Sequence, residues 1–78
     1  MAELSTHRGE RIDETHYAVQ LWDHQQLTQA TLFYQFRQIP SSVRRDCKSF
    51  AFTGRVWRDE ENCRMAEVAI EMRPDDED

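Results

Sequence analysis

The sequence predicts a small α+β domain, an antiparallel sheet of about three strands with one helix, residues 24–39, packed on its apolar face. Three observations carry this. Residues 16–22 and 49–57 each alternate apolar and polar side chains, the period of a half-buried strand. Leu32, Phe33, Phe36 and Ile39 recur at helical spacing. Residues 64–72 can be laid against 50–58 in a register that brings the apolar faces of both together.

In the first strand Tyr17, Val19 and Leu21 share a face. For the helix, Asp23 stands where a cap is needed, and Gln26 three residues on completes a capping box. Trp22 and Leu27 take the flanking positions of a hydrophobic staple. Gln25, Gln26, Gln29 and Ala30 are good helix formers, and Pro40 stops the helix. The competing reading is a strand over 31–37 that aligns Leu32, Tyr34 and Phe36, which would give a four-stranded all-β meander. Beyond Pro40, Ser41 or Ser42 can cap a short helical turn reaching about Cys47.

In the next strand Phe50, Phe52 and Val56 share a face, with Gly54 between them. The final segment has two readings. As a helix, 59–73 gathers Glu60, Arg64, Glu67 and Glu71 into one polar stripe; as a strand, 64–72 puts Ala66, Val68, Ile70 and Met72 on one face. The strand gains from its pairing. Phe50 then faces Met72, Phe52 faces Ile70, Gly54 faces Val68 and Val56 faces Ala66, while the reverse face sets Arg55 against Glu67 and Trp57 against Met65. Asp59–Cys63 is left as a polar loop of ordinary hairpin length. The same register opposes Arg58 and Arg64 at the hairpin mouth, which counts against it. The hairpin is the preferred reading, and a helix over 59–73 is the alternative.

Residues 1–14 read as a flexible arm, 15–73 as a single small domain and 74–78 as an acidic tail. A core of this size supplies only about 3–5 kcal/mol. Cys47 and Cys63, with no CxxC pair and no paired histidines, make no zinc site, and no cofactor motif is present. The hairpin puts the two thiols at opposite ends, out of disulfide reach. No apolar run approaches the roughly 20 residues of a membrane span. Charge fills the start of the chain where a signal peptide would be apolar. A cytoplasmic protein with no membrane partner is expected.

Charge is sorted along the chain. Residues 1–34 carry a net −3, residues 35–58 a net +5 and residues 59–78 a net −7. Such segregation steers association with charged partners. No glycine-rich phosphate loop and no recognisable nucleophile setting accompany it, so an enzyme is not expected. The leading expectation is a non-catalytic interaction protein, a small regulator or inhibitor that docks on a larger protein. Trp22, Trp57 and Met65 point away from the main core and would anchor the contact, with Asp59, Glu60, Glu61, Glu67 and Glu71 meeting a basic groove on a nucleic-acid-handling partner. Exposed indoles could also be buried by a second copy in a homodimer. The alternative is a nucleic-acid-binding module using Arg44, Arg45, Lys48, Arg55 and Arg58, with Trp57 as a stacking ring.

Overall fold

A computed structural model describes residues 9–23 and 26–74. The elements are β1 (Glu10–Asp13), β2 (His16–Leu21), α1 (Gln29–Phe36), α2 (Ser41–Arg45), β3 (Cys47–Arg58) and β4 (Arg64–Met72). They form an α+β fold with one four-stranded sheet in the order β1-β2-β4-β3, every neighbour antiparallel. Since β2 and β3 both oppose β4, they run parallel to each other, and α1 and α2 make the crossover between them. Among the described residues the edges of the sheet are β1 and β3.

The alternation read from β2 and β4 sets the core. Tyr17 pairs with Val68 and Val19 with Ala66. These four, with Leu21, Ile70 and Ile39, form one buried cluster. Each of the larger side chains contributes about 1.5–3 kcal/mol on leaving water. Leu32, Phe36, Phe50 and Phe52 close over the cluster, and the Phe36 and Phe50 rings stack at 4.3 Å.

The helix is shorter than expected and starts later. Thr28, not Asp23, is its cap; Thr28 Oγ1 accepts from the Thr31 N–H at 3.2 Å. Asp23 is drawn away because its carboxylate accepts from Arg58 Nη2 at 3.3 Å. With Thr28 as cap, the staple positions pass to Leu27 and Leu32, both packed against the core. Trp22 has no staple role and is 60 % exposed. The inward face of α1 carries Leu32, Gln35 and Phe36, and Phe33 is 62 % exposed. At about 100° per residue, Phe33 lies outside the arc that those three define. Ile39, fully buried, sits past the helix in a tight turn in which its N–H donates to Phe36 O at 3.1 Å. In α2 the cap position is Pro40, and neither serine makes a capping hydrogen bond.

The strand reading of 64–72 holds, and the loop 59–63 closes it. Asp59 Oδ1 accepts from the N–H groups of Glu61 and Cys63, both at 2.9 Å, and Asn62 takes the left-handed conformation at φ 66°. Near this loop the expected register is present, with Val56 opposite Ala66, Trp57 opposite Met65 and Arg58 opposite Arg64. Further along it slips by two, so that Phe52 faces Val68 and Phe50 faces Ile70. Thr53, Gly54 and Arg55 together oppose Glu67 in a bulge. Gly54 has φ 102°, open to glycine and strained for any other residue. Thr53 Oγ1 donates to Glu67 Oε1 at 2.8 Å, and Arg55 turns over the Trp57 ring at 4.5 Å instead of meeting Glu67.

Residues 10–13, expected to be part of an arm, pair with β2 as an edge strand. Its turn explains the capture: Asp13 Oδ1 accepts from the Thr15 N–H at 2.9 Å and bonds His16 Nδ1 at 2.8 Å. The His16 contact, then the Thr15 N–H, hold the Asp13 carboxyl below its ordinary value of 3.8. A lowered carboxyl contributes stability that is fully present above its ordinary value and lost as pH falls through the lowered one. Asp13→Asn should therefore reduce the melting temperature near neutral pH. The gap to the parent should close below about pH 4. A gap that widens on acidification would contradict this linkage. Residues 1–8 of the expected arm, and 75–78 of the expected tail, lie outside the described residues.

Candidate partner-binding surface

The expected contact residues do not form one patch. One group does assemble, at the sheet end that carries the β3–β4 loop. Leu21 pairs with Arg64, so Trp22 emerges beside the start of β4. Asp23 then meets both arginines of the hairpin mouth: its carboxylate accepts from Arg58 Nη2, and its carbonyl accepts from Arg64 Nη1 at 3.3 Å. Arg58 Nη1 also donates to Asn62 O at 2.8 Å. The like-charge opposition that counted against this register is relieved by an acid from a different element.

The loop acids gather with a residue absent from the sequence-based set. Asp59, Glu60 and Glu61 line a shallow depression of about 310 Å³ together with Glu10 at the start of β1. Four carboxylates from two ends of the chain thus share one corner. Glu10 gave no signal, because its strand was not recognised. Asp59, Glu61 and Cys63 also bring ligand atoms within 4.8 Å of one another. The Asp59 Oδ1 atom is committed to the two N–H groups that shape the loop. The cluster is accounted for by the turn.

The remaining expected contacts lie elsewhere. Met65 faces away from the main core as expected, but it is 2 % exposed and offers no surface to a partner. Trp57 is half-buried, with the Arg55 guanidinium over its ring. Glu67 is engaged by Thr53, and Glu71 by Ser49 Oγ at 3.2 Å and Lys48 Nζ at 3.8 Å. The exposed aromatics that the sequence did not single out are Phe33 and Tyr34, at 62 % and 64 % on the outer face of α1. Tyr34 lies about 160° around the helix from Phe36, and that spacing is the signal that could have found it.

The basic residues are also dispersed. Arg44 Nε donates to Ile39 O at 2.9 Å and so braces the turn between the helices. Lys48 and Arg58 meet Glu71 and Asp23. Arg45 and Arg55 are exposed. Cys47 and Cys63 are free thiols, the first at the start of β3 and the second in the loop beyond its far end. Burial pushes the Cys47 thiol up. Among the described residues no helix is long and apolar enough to cross a membrane. No protein-family model, curated protein or solved structure matches the chain.

Proposed function

We propose that this protein is a non-catalytic interaction module that docks on a basic surface of a larger protein. The observation that carries the reading is the 60 % exposed indole of Trp22 at the same sheet end as the acidic corner of Glu10, Asp59, Glu60 and Glu61. An exposed tryptophan is a common interface anchor, and a rim of carboxylates sets orientation and encounter rate. The Asp23 contacts with Arg58 and Arg64 hold the backbone after Trp22, so less conformational freedom is lost on docking. An arginine-lined groove built for phosphate is a chemically suited target, which makes a nucleic-acid-handling protein the proposed partner.

Trp22→Ala should leave the melting temperature nearly unchanged, as surface substitutions cost within about 0.5 kcal/mol. It should weaken the partner by more than about tenfold. Glu60→Lys with Glu61→Lys should slow association and remove its salt dependence. The check is affinity capture from the native host by the parent and both variants, read by quantitative mass spectrometry. A partner retained equally by all three would end the proposal. Simultaneous binding of nucleic acid and this protein to the captured partner would end the groove-mimic part alone. The nucleic-acid-binding alternative needs Trp57 as a stacking ring, and Arg55 already covers a face of that ring.

A further inference from the structure

A second surface, independent of the Trp22 end, lies along β3. Among the described residues this strand is an edge of the sheet, so alternate backbone N–H and C=O groups of its twelve residues point away from β4. Edge strands of this length are usually blunted by proline, by charged side chains, by bulges or by a covering element. β3 has a register irregularity and an exposed base on either side of its middle, Lys48 before Ser49 and Arg55 after Phe52. Here the regular run Ser49–Phe52 has no proline and carries no charge. A groove of about 380 Å³ opens beside it, where Leu27, just before the α1 cap, and Leu32 of α1 line it with Phe50 and Phe52.

We propose that β3 accepts an extended acidic segment of another protein, which adds as a fifth strand on Ser49–Phe52 and seats one apolar side chain in the groove. Strand addition of this kind takes its affinity from main-chain hydrogen bonds and its specificity from the pocket beside the edge. Charge selects the occupant. The strand carries Lys48, Arg55 and Arg58 and no acid. Lys48 and Arg55 bracket the regular run, so carboxylates fit at both ends of the incoming segment, with the apolar residue between them. The Lys48–Glu71 pair is loose, at 3.8 Å with both side chains more than half exposed, and a second carboxylate can share it. A second copy of this chain fits less well, since pairing β3 with β3 sets like charges together. Pairing with β1 offers only four residues.

The probe is a synthetic seven-residue peptide of valine and threonine with a central leucine and glutamate at both ends. Its counterparts carry lysine for glutamate, or proline for the leucine. Amide exchange and chemical shifts of the full chain report the site. The acidic peptide should protect amides within Ser49–Phe52, shift the Leu27 and Leu32 methyls and bind more weakly as salt rises; the proline peptide should not bind. Lys48→Glu with Arg55→Glu changes only exposed side chains. It should weaken the acidic peptide about tenfold and favour the lysine peptide. The proposal is overturned if both charged peptides bind alike, if shifts centre on Trp22, or if nothing binds at millimolar peptide. It is also overturned if the same amides become protected as the protein alone is concentrated, since a second copy then owns the edge. A tenfold gain in peptide affinity on removing residues 75–78 would make the chain's own tail the occupant and overturn it equally.

Discussion

Ile39→Ala should abolish cooperative folding near room temperature, while Phe33→Ala should leave the melt almost untouched. Both residues belong to one sequence pattern, and the fold separates them. Ile39 is fully buried in the cluster with Tyr17, Val19 and Val68, at the turn that carries the chain from α1 to Pro40. Truncating a buried isoleucine costs about 2–5 kcal/mol, through lost transfer energy and the cavity left behind. A domain of this size holds only about 3–5 kcal/mol in total. Phe33 is 62 % exposed and should cost within about 0.5 kcal/mol. Ile39→Val, at about 0.5–1.5 kcal/mol, keeps the comparison measurable if the alanine variant is unfolded. Denaturant melts at one temperature decide it. Equal losses at 33 and 39 would mean that the helix face is wrongly placed.

Side-chain alternation reports parity, and parity explains what could be read in advance. It placed β2 and β4, gave the loop Asp59–Cys63 and sent Met65 to the face away from the core. It could not reveal the bulge. A slip of two residues leaves Phe50 and Phe52 on the same face, so the hydrophobic pattern is identical whether Phe52 faces Ile70 or Val68. Only Gly54 hinted at the irregularity. Nor does parity say what covers a residue, which is why Met65 faces outward and is still buried. β1 was invisible for a different reason. Its four residues are all exposed and have one apolar side chain, Ile12, so backbone pairing and the Asp13 turn hold it without a pattern to detect. The acidic corner was legible for the three loop acids and not for Glu10, since that required knowing that β1 exists. Asp23 shows the limit of local rules. It satisfied every local condition for a cap, and a guanidinium far along the chain, Arg58, took it instead.

The polar contacts of the helix were the least legible, and they carry the second large effect. Gln38→Ala should destabilise the domain by about 1–3 kcal/mol, the cost of leaving the Gln20 N–H unpaired. The reason lies where β1 ends. β1 pairs with β2 as far as Ala18, and the backbone of Gln20 would face no neighbour. Gln38 supplies one: its Oε1 accepts from the Gln20 N–H at 2.7 Å, and its Nε2 donates to the Gln20 carbonyl at 2.8 Å. Gln35, 3 % exposed, donates to the same carbonyl. A side-chain amide has the donor and acceptor geometry of a peptide group, so Gln38 continues the ladder where the strand stops. Gly9 lies directly against this turn, where a Cβ would come within 2.2 Å of Gln38 O. The start of β1 and the end of the helix are therefore fitted to each other. Gln38→Glu separates hydrogen bonding from bulk. A carboxylate still accepts from the Gln20 N–H but opposes the Gln20 carbonyl with a second negative oxygen, so it should destabilise at least as much as alanine near neutral pH. Acidification should recover part of the loss, because a protonated carboxyl can donate. Exchange of the Gln20 amide, followed with thermal melts of the three proteins, measures both. If Gln38→Ala leaves that amide as protected as in the parent, the clamp does not close the sheet, and the register of β1 must be secured by the Asp13 turn alone.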